Sequence, residues 1–183
     1  MTLLPSILVL LVALLALFAE TALPGLRHWL GAQVNLLPGL VVYTALNSGL
    51  ATLTLLTVLG SLAFDSLSAN TLGVSLLPLF GAGLVLHARR ELILRDQVFA
   101  QFVLGAIASA AVPALTLLLL LSAGHRPLLG WGTLWQFAVM SLGGGIATPL
   151  WFVLFGWLNR VLGYQMVVET SFRPDREIRR GRN

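Results

Sequence analysis

Apolar residues run along this chain in long blocks separated by short polar breaks. About 20 consecutive apolar residues cross a bilayer as a helix, so blocks of this kind predict membrane spans. Residues 3–19 form the first block and end at Glu20, a length that spans if the bilayer thins slightly. Residues 20–36 follow as a polar-interrupted loop with Pro24, Gly25, Arg27, His28 and Trp29. From Leu36 to Phe64 no charged residue occurs. As one helix that stretch would measure about 44 Å at 1.5 Å per residue, too long for a hydrocarbon core of about 30 Å. The polar break Asn47-Ser48-Gly49 predicts a tight turn between two shorter spans, 36–48 and 51–65. Asp65 closes the third span, and a fourth runs over 71–88 with Pro78, Gly81 and Gly83. A fifth covers 97–122, with a kink expected at Pro113. After a loop at 123–133, a sixth covers 134–159 and stops at Arg160. The expected fold is an all-α, six-helix transmembrane bundle.

Composition agrees with that pattern. Of 183 residues, 57% are hydrophobic and 10% charged, with a mean hydropathy of +0.91. Soluble domains carry roughly a quarter charged residues, so lipid is the expected solvent for most of these side chains. Residues 1–160 read as a single polytopic domain and 161–183 as a basic cytoplasmic tail. The N-terminal MTLLPSILVLL lacks a basic n-region and a small-x-small cleavage site, and reads as a retained first span. With no cysteine, disulfides, thiolate nucleophiles and Cys metal sites drop out.

Charge gives the orientation. The decapeptide HARRELILRD at 87–96 is the dense charge cluster ahead of the tail, and Arg89, Arg90 and Arg95 mark it as a cytoplasmic loop. All eleven basic residues are arginine, and nine fall in 89–95 or 160–182. Six spans place both termini on the cytoplasmic side of the membrane, with Arg27 and Arg126 outside. Five spans, merging 36–65, would leave a single arginine outside. Charge bias does not separate the two plans; the Asn-Ser-Gly break and the excess length favour six. Trp29, Trp131 and Trp135 then fall near the outer interface, and Trp157 and Tyr164 near the inner one, as aromatic belts do. The net charge of +4 reads as topology and anionic-lipid contact, with no nucleic-acid partner. Arg173, Arg176, Arg179, Arg180 and Arg182, set against Asp175 and Glu177, read as a lipid anchor or as a docking segment for a cytoplasmic partner.

Reactive constellations are sparse. Asp65 lies at a span end beside Ser66, Ser68 and Asn70. With water expected in reach, it reads as an interfacial or capping residue ahead of a substrate, ion or proton site. His87 stands at the other end of span four, about 25 Å away by helical rise, so the two form no acid–base dyad. His28 and His125 lie in outer loops, and no histidine pair has metal-site spacing. The serines show no GxSxG elbow and no base within reach. Catalytic residues, metals and cofactors are therefore not expected. Gly143-Gly144-Gly145 and the Gly105-xxx-Ser109 pair sit inside apolar spans. A phosphate loop would need a preceding strand, a helix start and usually a Lys, so these residues read as faces where another helix approaches closely, in this chain or in a partner.

Residues 36–95 resemble the rod shape-determining protein MreD family. The resemblance rests on Pro38 opening the second span, then Tyr43 and Ala45, the Asn47-Ser48-Gly49 turn, Gly60 and Asp65 in the third span, and Leu72-Gly73 opening the fourth. The family's acid after the proline is replaced by Gly39, and the third span is poorer in glycine. Chain length, six-span plan and basic tail also agree. The resemblance implies a non-enzymatic inner-membrane scaffold of the bacterial elongation machinery. It would bind the single-span protein MreC and, through it, MreB filaments, RodA and its transpeptidase partner, a class B penicillin-binding protein. The family's fold is similar to that of substrate-binding S-components of energy-coupling-factor vitamin transporters, which makes such a carrier the alternative reading.

Overall fold

A computed structural model of the chain describes residues 3–22, 31–32, 34–68, 71–93, 97–124 and 130–161. Arg27, His28, Trp29, Asn70, Arg95, His125, Arg126, Tyr164 and the tail arginines Arg173, Arg176, Arg179, Arg180 and Arg182 lie outside the described residues. Among the described residues the fold is all-helical. In chain order it comprises α1 (Leu3–Ala22), α2 (Leu37–Asn47), α3 (Leu50–Leu67), α4 (Leu76–Ala88), a 3₁₀ turn (Arg90–Leu92), α5 (Val98–Ser122) and α6 (Trp131–Val161). Three of these, α3, α5 and α6, are long and apolar enough to cross a membrane, while Ser6–Glu20, α2 and α4 form shorter apolar helices.

The fold is centred on α2, which packs against each of the other five helices. Every residue from Leu37 to Leu46 is buried, as expected of a helix that is apolar around its whole circumference. Pro38 stands in the first turn, where its missing N–H costs nothing and its fixed φ favours helix entry. At the far end the Asn47 amide donates to the Tyr43 carbonyl at 3.2 Å. Ser48 is extended, and its N–H closes on the Thr44 carbonyl at 2.9 Å. Eleven residues make α2 about 16 Å long, half the thickness of a bilayer core.

The other helices bury one face against α2 and leave the opposite face apolar and exposed. On α1, Val9, Ala13, Ala16 and Leu17 point inward, whereas Ile7, Leu11, Leu14, Leu15 and Phe18 are more than half exposed. Neighbouring side chains fix the direction of each helix. Ser6 meets Thr52 across α1 and α3, Leu37 faces Gly60, and Val41 and Leu53 face Gly83. Tyr43 stacks on Phe155, with ring centroids 4.4 Å apart. Successive helices therefore alternate in direction. Arg89, Arg90 and Arg160 collect at one end of the bundle, and Glu20, Ser75 and Trp131 at the other.

Several boundaries differ from the sequence expectation. The fourth helix begins at Leu76 instead of 71, because residues 72–75 form a turn with Gly73 at φ +87°, a conformation that costs a side-chain-bearing residue about 1–2 kcal/mol. The first helix continues past Glu20 to Ala22. The sixth runs from Trp131 to Val161, longer at both ends than 134–159, with Pro149 inside it. Pro113 lies inside α5, as expected.

Candidate functional site

The densest polar node lies where α3 hands over to α4. Asp65, in the last turn of α3, is 1% exposed. Its Oδ2 accepts from the Gly73 N–H at 2.9 Å and the Ser75 N–H at 3.3 Å, and its Oδ1 accepts from the Ser75 hydroxyl at 2.6 Å. The positive φ of Gly73 turns the 72–75 backbone so that its N–H groups converge on the carboxylate. Asp65 thus caps the entrance to α4, as the sequence suggests. The expectation that water reaches it is corrected: donors from this chain replace water, because α4 folds back over the end of α3.

A second polar clasp holds the entry to α2. The Glu20 carboxylate of α1 accepts from the Leu36 N–H, the Asn35 side-chain oxygen accepts from the Leu37 N–H at 3.0 Å, and the Trp151 indole donates to the Leu36 carbonyl at 3.3 Å. Glu20, Asn35, Ser75 and Trp151 were not singled out from the sequence. Asn35 carries a usable signal, since an Asn two residues before a helix start can satisfy a free helical N–H. Nothing local marks the other three.

The residues that carry the family resemblance converge on the interior of α2, α3 and α4. A Cβ on Gly60 would stand 3.0 Å from Leu37 Cδ1, so α3 approaches α2 closely only because Gly60 has none. Tyr43 lies flat on Phe155, at 10° between planes, and meets Phe152 edge-on at 5.0 Å. Pro38 and Ala45 are buried in α2, and Gly73 is a donor to Asp65. Leu72, at 66% exposed, and the Asn47-Ser48-Gly49 turn, half-buried to exposed, lie outside that interior.

Of the two occupants the small-residue faces leave open, a helix of this chain or of a partner, the structure shows a helix of this chain. Gly105, Ser109 and Gly144 lie buried where α5 and α6 cross. A Cβ on Gly105 would come within 2.6 Å of the Gly144 carbonyl oxygen, and one on Gly144 would collide with Ser109. Gly143 faces Val34 and Gly145 faces the Phe102 ring. The Ser141 hydroxyl adds an interhelical hydrogen bond to the Ala106 carbonyl at 3.0 Å. Small residues let two backbones approach, and here both backbones belong to one chain. The Ser109 hydroxyl, sealed in this crossing, has no hydrogen-bond partner among the described residues.

Between the node and the crossing lies a cavity of about 340 Å³. Asn35, Ser75 and Thr116 are among its polar walls, and Phe64, Phe137 and Met140 among its apolar ones. Among the described residues none of the lining side chains is charged. At the opposite end of the bundle His87 sets Nδ1 2.9 Å from the Ala45 carbonyl, joining the ends of α2 and α4, with Arg89 and Arg90 exposed beside it. Asp65 and His87 are thus at opposite ends of α4, as the spacing predicts. Among the described residues no group of three His, Cys, Asp or Glu side chains could hold a metal ion. No protein-family model, curated protein or solved structure matches the chain.

Proposed function

We propose that this chain is a six-span protein of the bacterial cytoplasmic membrane and a scaffold of the MreD type, joining MreC to the cell-elongation machinery without catalysing a reaction. The observation that carries the reading is that Pro38, Tyr43, Gly60 and Asp65 are buried, with Gly60 against Leu37, Tyr43 against Phe155 and Asp65 closed by Gly73 and Ser75. Residues of a family pattern are expected to hold a shared core in place, and the burial of these four supports the reading.

Two further observations support a membrane setting. Leucine, isoleucine, valine and phenylalanine side chains are exposed along α1, α3, α5 and α6, a surface that water would not tolerate on a monomer. Alternating helix directions put Arg89, Arg90 and Arg160 at one end, and the positive-inside rule supports reading that end as cytoplasmic. The partner-binding surface then belongs to outward-facing residues, since Gly105, Ser109 and Gly144 are used inside the chain. The exposed leucines of α1 and α3 are available for that role.

Depletion in a rod-shaped host should round the cells, and pull-down in mild detergent should recover a single-span partner with the wall synthases. Recovery of the chain alone, with normal rods after depletion, would sink the scaffold reading. The cavity beside Asp65 favours one second reading, a substrate-binding subunit of a vitamin transporter. Vitamin auxotrophy on depletion and tight binding of a vitamin by the purified chain would decide for it.

A further inference from the structure

We propose that the cavity between α3, α5 and α6 is a binding site for a small, uncharged, ring-containing molecule that carries N–H or O–H donors. Its volume, about 340 Å³, is roughly twice the ~150 Å³ of an apolar cavity that holds one benzene ring. It lies near the lower end of ordinary ligand pockets, about 300–1,000 Å³. A molecule of two fused rings fits that space.

The walls specify polarity as well as size. The Ser75 hydroxyl gives its proton to Asp65 at 2.6 Å, so the lone pairs of Ser75 Oγ remain as acceptors. The Thr116 hydroxyl gives its proton to the Val112 carbonyl at 2.9 Å and is likewise left as an acceptor. Asn35, 6% exposed, uses its side-chain oxygen on the Leu37 N–H. Its amide Nδ2 makes no hydrogen bond among the described residues. The Ser75 and Thr116 hydroxyls therefore stand as acceptors and the Asn35 amide as a donor, in a polar wall that Ser68, Thr133 and Gln136 complete. Phe64, Phe137 and Met140 add ring faces and a polarizable sulfur, which suit an aromatic ring.

Charge is selected against. Among the described residues no lining side chain is charged, and the nearby carboxylate of Asp65 is sealed behind Ser75 with three donors of its own. A ligand carboxylate or ammonium would lose its hydration and find no ion of opposite sign. An acyl chain would fill the space but leave the Asn35 amide and the hydroxyl lone pairs unmatched, which is unfavourable for buried polar groups. The site depends on neither functional reading above, because a scaffold and a carrier would present the same walls. The test needs only the isolated chain.

The full chain, reconstituted in palmitoyl-oleoyl-phosphatidylcholine nanodiscs at pH 7, is titrated with three probes of one ring size: indole-3-carboxamide, indole-3-carboxylate and naphthalene. Saturation-transfer NMR reads the dissociation constants. The carboxamide should bind at least tenfold more tightly than either of the others. Thr116→Phe, which fills the space from α5, should weaken it at least tenfold. Met140→Phe fills the same space from α6 and serves if the first variant does not fold. Asn35→Leu should weaken the carboxamide and leave naphthalene unchanged. Naphthalene binding as tightly as the carboxamide would mean a lipid-filled crevice and would overturn the proposal. So would a carboxylate preference, an absence of saturable binding by every probe, or carboxamide binding unaffected by the filling variants.

Discussion

Removing the Asp65 carboxylate should be among the most damaging single changes in the chain, and the geometry sets how damaging. Three donors end on this side chain, at 2.9, 3.3 and 2.6 Å, and the residue is 1% exposed. Hydrogen bonds to a charged group contribute about 1.5–3 kcal/mol each, and a buried donor stripped of its acceptor costs about 1–3 kcal/mol. Asp65→Ala strands the Gly73 and Ser75 N–H groups, while the Ser75 hydroxyl, at the cavity wall, can turn to another acceptor. A loss of about 3–5 kcal/mol follows, counting two stranded donors and the discarded charge assistance. Asp65→Asn keeps one oxygen for the two N–H groups and can offer its amide to Ser75 Oγ, so its cost should be only about 1–2 kcal/mol. Ser75→Ala removes the shortest of the three bonds. The double-mutant cycle of Asp65→Ala with Ser75→Ala should return a coupling of about 1–3 kcal/mol. Reversible unfolding of the purified chain in mixed micelles, by titration with sodium dodecyl sulfate, gives these values. Alanine and asparagine variants equal to each other, and within about 0.5 kcal/mol of the parent, would show that water satisfies these donors and that the node is not sealed.

The same titration tests the other packing arguments. Gly144→Ala should cost about 1–3 kcal/mol by overpacking the α5–α6 crossing, and Ser109→Gly in the same chain should recover more than half of it, since Ser109 is what the new Cβ meets. Gly73→Ala should cost about 1–2 kcal/mol through its positive φ. Gly81→Ala, with no atom within 4 Å of the new Cβ, should be neutral or stabilise α4 by about 0.5–1 kcal/mol. Glu20→Ala should cost about 1–3 kcal/mol by leaving the Leu36 N–H without its acceptor, and Glu20→Gln should restore most of that. A Glu20→Ala variant as stable as the parent would remove the clasp between α1 and α2.

The apolar blocks of the sequence determine nearly where the six helices among the described residues form. The break at Asn47-Ser48-Gly49 separates α2 from α3 where expected, and Asp65 closes α3 within its last turn. These features are local. A long apolar block seeks an apolar medium whatever its neighbours are, and a polar or glycine break ends it whatever follows. That Asp65 caps was legible for the same reason; that it is sealed was not, because its donors come from Gly73 and Ser75, eight and ten residues further along.

Facing was decided by the tertiary structure. Within a block where nearly every position is apolar, periodicity does not say which side turns inward. Leu53 and Leu55 are neighbours in sequence and equal in hydropathy, yet one is fully buried and the other is 48% exposed. What separates them is the volume opposite: Leu53 finds the notch at Gly83, and Leu37 finds the notch at Gly60. The same matching spends Gly105, Ser109 and Gly144 on each other, shuts α2 into the centre and leaves the cavity where larger walls do not meet. Hydropathy thus set where the apolar helices among the described residues begin and end. Close packing between segments far apart in sequence chose the arrangement, because contact between surfaces depends on two shapes at once and a single stretch of residues carries only one of them.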